Sequence, residues 1–160
     1  YLDEHIFGRV SFRSVQYING AAPDPAAEAA RYAALLADNP PDVVVLGIGE
    51  NGHIAFNDPP ADFADKEAVK VVRLDEVCRR QQVHDGCFAR LSDVPAYALT
   101  LTVPALVRAR YMFCVVPGPA KARAVRDTLF GPIGGHCPAG ILRTKVGAVL
   151  YLDCDSAALL

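Results

Sequence analysis

The chain lacks any apolar run approaching the roughly 18 residues that span a bilayer, so no membrane-spanning role is expected. It also shows no signal peptide, internal repeat or low-complexity segment. Charge of one sign is scarce as well. A net charge of −2 over 160 residues offers no basic face for nucleic acid and no polybasic patch for a membrane surface. The five cysteines (Cys78, Cys87, Cys114, Cys137, Cys154) are odd in number and lack Cys-x-x-Cys spacing. Neither a disulfide framework nor a zinc site is therefore expected, and a reducing cytoplasm is the simpler compartment. Cys114 and Cys154, within or just after apolar runs, read as small hydrophobes. The histidines His5, His53, His84 and His136 are dispersed, with no His-x-x-x-His and no carboxylate-rich loop, so no metal is expected.

What is present suits a soluble globular chain: 52% apolar and 21% charged residues, enough for one domain over 1–160 with a real core. Asp24-Pro25 followed by Glu28 predicts a helix start, with Asp24 as cap, and the alanine-rich run to Ala37 continues it until Asn39-Pro40-Pro41. Asp42 to Leu46 and Tyr111 to Val116 are short β-branched or apolar runs, predicting parallel strands buried on both faces. Leu74 to Val83, with Asp75 as cap, Pro104 to Arg108 and Ala120 to Leu129 predict helices. Tyr97 to Val103 and Val146 to Leu152 predict strands. This alternation predicts an α/β fold: a doubly wound, mostly parallel, Rossmann-like sheet with helices on both faces. Tyr1-Leu2 reads as the end of a strand, and the first residue is not Met, so a fragment or processed piece of a longer protein is expected.

In such sheets ligands bind beyond the carboxyl ends of strands. The loops after Leu46, after Val116 and after Tyr1-Leu2 are thus the places to look. The first, Gly47 to Pro59, carries three glycines in six residues, which permits positive φ and close backbone approach. Its Gly-x-Gly is a weak dinucleotide signal, because the third glycine of that fingerprint is misplaced. His53 stands among Asn51, Asn57 and Asp58, groups able to orient an imidazole for acid–base work near neutral pH. A histidine merely bonded to a carbonyl in a tight loop is the plain alternative.

Gly-Ile-Gly-Glu-Asn-Gly-His-Ile-Ala-Phe-Asn-Asp-Pro at Gly47 to Pro59 resembles the signature loop of the glucosamine-6-phosphate isomerase/deaminase family. The likeness extends in order to Leu2-Asp3-Glu4, to Val94 through Thr100 and to Pro117 through Lys121. Related 6-phosphogluconolactonases share the Gly-His but continue differently after it.

The resemblance implies a cytoplasmic enzyme with no cofactor, whose partner is a small-molecule sugar phosphate, with homo-oligomers common among relatives. It implies conversion of glucosamine 6-phosphate to fructose 6-phosphate plus ammonia. Asp3, beside Glu4, would move a proton between C1 and C2, His53 would open the sugar ring, and Asp58 stands where the family has a glutamate. Gly49 and Gly52 would shape the loop around substrate, and Lys121 would meet the phosphate at a helix N-terminus. Glu4, Gly49, Gly52, Arg79 and Arg80 are further candidates for substrate binding. Asn51 departs from the family's Asp-Gly-His. Two outcomes stay open: a rearranged relay, with Glu50 as one candidate, or altered activity. The family's main phosphate loop lies upstream of Asp3-Glu4, so the resemblance implies that these 160 residues are missing an N-terminal strand and helix at least, bind substrate poorly and expose an apolar sheet edge or face without them. Two other functions remain open, a 6-phosphogluconolactonase-type hydrolase and a non-catalytic sugar-phosphate-binding protein.

Overall fold

In the computed structural model, which describes residues 2–160, each local signal for a helix start resolves into a cap. The carboxylate of Asp24 accepts from the N–H groups of Ala26 and Ala27 and starts α1 (Pro25–Asp38). β1 (Val43–Leu46) follows, then β2 (Val69–Arg73). Asp75 accepts from Cys78 N–H and starts α2 (Glu76–His84). β3 (Tyr97–Leu101), α3 (Val103–Val107, capped by Thr102) and β4 (Tyr111–Val116) come next. A 3₁₀ turn, Pro119–Lys121, leads into α4 (Ala122–Phe130), and β5 (Ala148–Leu152) closes the order.

β4 is the centre of a three-stranded parallel sheet, ordered β1-β4-β5, with Val43 opposite Tyr111 and Phe113 opposite Val149. β2 and β3 form a separate antiparallel pair, from Val69 opposite Leu101 to Arg73 opposite Tyr97. The result is a mixed α/β fold with a mostly parallel sheet flanked by helices. No helix among the described residues is long and apolar enough to cross a membrane.

Alternate residues of a strand point to opposite faces. Met112, Cys114 and Val116 of β4 are buried in a core with Ile48, Ile54, Val103, Leu106, Val125 and Leu142. Burying such aliphatic side chains contributes about 1.5–3 kcal/mol each, so this side fixes the sheet. The other face differs from the reading of strands buried on both sides. Val43 and Val45 of β1 and Val115 of β4 are 48, 72 and 50% exposed, and Val149 and Tyr151 of β5 share that exposure. Their β-branched and aromatic character suits a strand, but among the described residues nothing covers them.

The opening also differs. Tyr1 lies outside the described residues, and from Asp3 to Phe7 the chain makes a single π-helical turn, closed by Gly8 N–H on Asp3 C=O at 2.7 Å. Among the described residues no strand pairs with it, and the Asp3 carbonyl is satisfied within the turn. Cys154, read as a small hydrophobe, is exposed because the chain turns immediately after β5, whereas Cys78, Cys114 and Cys137 are buried.

Candidate active site

The loop after β1 and the turn after β4 meet at the carboxyl end of the parallel sheet. Between them lies an open cleft of about 590 Å³, within the range of small-molecule sites. Gly47, Gly49 and His53 line it from the loop after β1, Pro117 and Lys121 from the turn after β4, and Gln81 and Gln82 from α2, with Asp85 at the C-cap of that helix. Two of the three loops singled out from the sequence therefore line the cleft.

The loop folds tightly on itself. Gly52 N–H donates to Gly49 C=O at 2.9 Å, and Gly49 N–H donates to His53 C=O at 2.9 Å. Gly52 sits at φ +84°, where a side chain is strained. Asn57, buried, donates from Nδ2 to Ile54 C=O and to Leu101 C=O, both at 2.9 Å. Thr100 Oγ1 accepts from Phe56 N–H at 3.0 Å. The end of β3 thereby holds the loop that begins at β1.

His53 is buried except where it faces the cleft. Its Nδ1 lies 2.8 Å from Asn51 Oδ1 and 3.2 Å from Asp58 Oδ1. Asn51 Oδ1 also accepts from His53 N–H at 3.0 Å, while Asn51 Nδ2 donates to Asp58 Oδ1 at 3.2 Å and to Asp75 Oδ2 at 3.1 Å. Asp75 N–H donates to Asp58 Oδ2 at 3.0 Å. Burial alone would raise the Asp58 carboxyl. Hydrogen bonds from His53, the Asp75 N–H and Asn51, together with the nearby imidazole charge, outweigh it and hold Asp58 below the usual carboxylate range. Both groups around Nδ1 are acceptors, so Nδ1 carries a proton, and in the neutral imidazole the lone pair is left on Nε2.

Lys121 stands at the start of α4, where burial draws its ammonium below the usual lysine range and the carboxylates of Asp85 and Glu50 draw it back up. A cation at a helix N-terminus, in a cleft with few other positive groups, suits an anionic ligand.

Asn51, His53 and Asp58 are brought together, and Gly49, Gly52 and Lys121 border the same space or shape its loop. Asp3 and Glu4 do not line the cleft: both are exposed on the opening turn, and Asp3 Oδ1 accepts from Tyr17 OH. Arg79 is turned away, its Nη2 donating at 2.9 Å to both Leu91 C=O and Val94 C=O. Arg80 is exposed and pairs with Glu76. Glu50, a candidate for the relay, instead accepts from or pairs with His84 Nδ1 at 3.0 Å, outside the His53 cluster.

The sequence reading missed Gln81, Gln82, Asp85 and Thr100 as cleft or loop-holding residues. The spacing of Gln81 and Asp85 on one helical face was the available signal. Gln81 Oε1 accepts from Glu50 N–H at 3.0 Å and its Nε2 donates to Asp85 at 3.1 Å. It also missed that His53, Asp58 and Cys78 each place one donor atom within 4.8 Å of the others, a set that could hold a metal ion. Without an ion there, burial and the charges of Asp58 and Asp75 push the Cys78 thiol up to about 12.

The chain matches the family model of glucosamine-6-phosphate isomerases/6-phosphogluconolactonase over residues 2–151. A glucosamine-6-phosphate deaminase of Listeria monocytogenes serotype 4a is 36% identical over 160 residues, covering 100% of this chain and 67% of the relative. One from Exiguobacterium sibiricum is 38% identical, covering 100% of this chain and 62% of its own. A solved structure described as a monomeric glucosamine-6-phosphate deaminase superposes with a TM-score of 0.83 at 33% identity, covering 89% of this chain and 58% of the other. The chain thus spans between 58 and 67% of the length of these relatives.

Proposed function

The chain belongs to the glucosamine-6-phosphate isomerase/6-phosphogluconolactonase family, and from that premise we propose that it carries the acid–base machinery of a cytoplasmic amino-sugar phosphate isomerase/deaminase. Its reaction takes glucosamine 6-phosphate and water to fructose 6-phosphate and ammonia. The observation that supports this most is the oriented imidazole: His53, proton on Nδ1 and lone pair on Nε2, opens onto the cleft that Lys121 borders.

Each step asks for a group of this kind. Ring opening needs a proton shuttled between the anomeric hydroxyl and the ring oxygen, which His53 Nε2 performs while Asp58 balances the imidazolium that forms. Isomerisation needs a base over adjacent carbons to take a proton from C2 and return one to C1. The family resemblance gives that role to Asp3, which in this structure is exposed on the opening turn, bonded to Tyr17 and outside the cleft lining, so the role requires the opening turn to lie elsewhere when substrate is bound. Water then adds to the C2 imine and ammonia leaves. Lys121 receives the phosphate as a point charge.

The test is to incubate the protein with glucosamine 6-phosphate and follow ammonia and fructose 6-phosphate together, beside His53→Ala. Equal yields of both products that collapse in the variant support the reading. Opening of 6-phosphogluconolactone with no ammonia from the amino sugar would move the chain to the hydrolase branch. Tight binding of the amino-sugar phosphate with no turnover of either compound would make it a binding protein.

A further inference from the structure

We propose that Asp75 is a positioning residue for His53, acting through the side-chain amide of Asn51; the inference rests on His53 being the proton-transfer group of the cleft.

An amide side chain has two lone pairs and two hydrogens. In Asn51 all four are used: Oδ1 takes the N–H and Nδ1–H of His53, and Nδ2 gives one hydrogen to Asp58 and one to Asp75. This arrangement admits only one orientation. Turned over, the amide would set its NH₂ against two donors of His53 and its oxygen against two carboxylates. The two carboxylates therefore decide which end of Asn51 meets the imidazole, and through it which nitrogen of His53 carries the proton.

Asp58 has its own direct contact with the imidazole, so its part in this is shared. Asp75 acts at one remove. Its Oδ1 caps α2 by accepting from Cys78 N–H at 2.6 Å, a task one oxygen fulfils and a serine could perform. The second oxygen is surplus to the cap and lies 3.1 Å from Asn51 Nδ2. The backbone N–H of the same residue holds Asp58 Oδ2 at 3.0 Å. One residue at the start of α2 thus grips both groups that face His53 Nδ1.

A neutral residue at 51 and a carboxylate at 75 then form a matched pair. Aspartate at 51 would still accept from His53. It would lose both donated hydrogens, however, and place a third negative charge within hydrogen-bond reach of Asp58 and Asp75. Removing the charge at 75 makes room for one at 51.

The experiment uses Asp75→Ser, which keeps an oxygen for the cap, Asn51→Asp, and the two combined. The ring-nitrogen signals of His53 in a ¹⁵N-labelled sample without substrate report its tautomer, independently of what the protein turns over. Wild type is expected to show a single Nδ1–H form, and Asp75→Ser a mixture or the other tautomer. In the deaminase assay Asp75→Ser is expected to lower kcat about 10- to 100-fold with KM within about twofold, as for lost supporting bonds elsewhere. Asn51→Asp alone is expected to lose at least about tenfold, most of it recovered in the double variant, the mark of direct coupling. Should Asp75→Ser fail to fold, Asp75→Asn keeps the shape and the cap while setting an amide donor against Asn51 Nδ2. Unchanged ring-nitrogen signals in a folded Asp75 variant would overturn the proposal, as would losses in the two single variants that simply multiply.

Discussion

The imidazole of His53 lies over the backbone of Gly49, so close that a Cβ at 49 would fall 2.2 Å from Cε1 and 2.4 Å from Nε2. Gly49 is therefore fixed by contact, not by backbone angle. Gly49→Ala is expected to displace the ring rather than the loop. Overpacking of this kind costs about 1–3 kcal/mol, and a misplacement near 1 Å lowers turnover on the order of 10²-fold. Steady-state kinetics with glucosamine 6-phosphate, beside thermal unfolding, separates the two effects. A fully active Gly49→Ala protein would mean that the ring is not held where it is seen.

Lys121 is the cation that the cleft offers at a helix start. A hydrogen bond to a charged group contributes about 1.5–3 kcal/mol. Lys121→Met should accordingly raise KM for the sugar phosphate by about one to two orders of magnitude, with a smaller change in kcat. Assaying the unphosphorylated amino sugar in parallel checks the assignment, because its weak turnover should barely respond.

Asp58 carries a pH signature. Its carboxyl is held below the ordinary 3.8 in the folded protein, so its ionised form is favoured by folding. That contribution is complete above the unfolded value and is lost as pH falls through the lower folded one. Asp58→Asn removes it. The melting-temperature gap between wild type and Asp58→Asn should stay constant from about pH 7 to 5 and shrink below about pH 4. A gap that widens on acidification would show the opposite sign of linkage.

Asn51-Gly52 is a dipeptide prone to deamidation, which needs the Gly52 nitrogen to attack the Asn51 side-chain carbonyl. Here Gly52 N–H is bound to Gly49 C=O and the Asn51 amide makes four hydrogen bonds. Folded protein should keep Asn51 intact through incubations that convert it readily in denaturant, with peptide mapping as the readout. Aspartate accumulating at 51 equally fast in both would show that these bonds do not hold the loop.

The parts of this architecture that a sequence can declare are those decided by near neighbours. Asp24 and Asp75 announce helix starts because a cap needs only the next three residues. Val43 to Leu46 and Tyr111 to Val116 announce strands because their side chains have no other stable use. β2 stayed hidden: Val69 to Arg73 alternates only briefly, and its pairing with Tyr97 to Leu101 is decided some 30 residues away. The open face of the parallel sheet was misread at the level of single strands, since apolar side chains state a preference for cover and not its presence. At the cleft, the His53 loop was legible as a contiguous motif. Asp75 was legible only as a cap, because its second role depends on Asn51 arriving from 24 residues earlier. Arg79 looked like a ligand for an anion until Leu91 and Val94 were seen to claim its guanidinium.

Asn57 has a consequence for how this molecule comes apart. Its side chain joins the loop leaving β1 to the last residue of β3, so it acts as a rivet between two sheets that share no strand. Loosening the His53 loop also breaks its ties to the antiparallel pair. Amide exchange around His53 should therefore keep time with exchange in both sheets, and the site should vanish in one step with the fold instead of melting ahead of it.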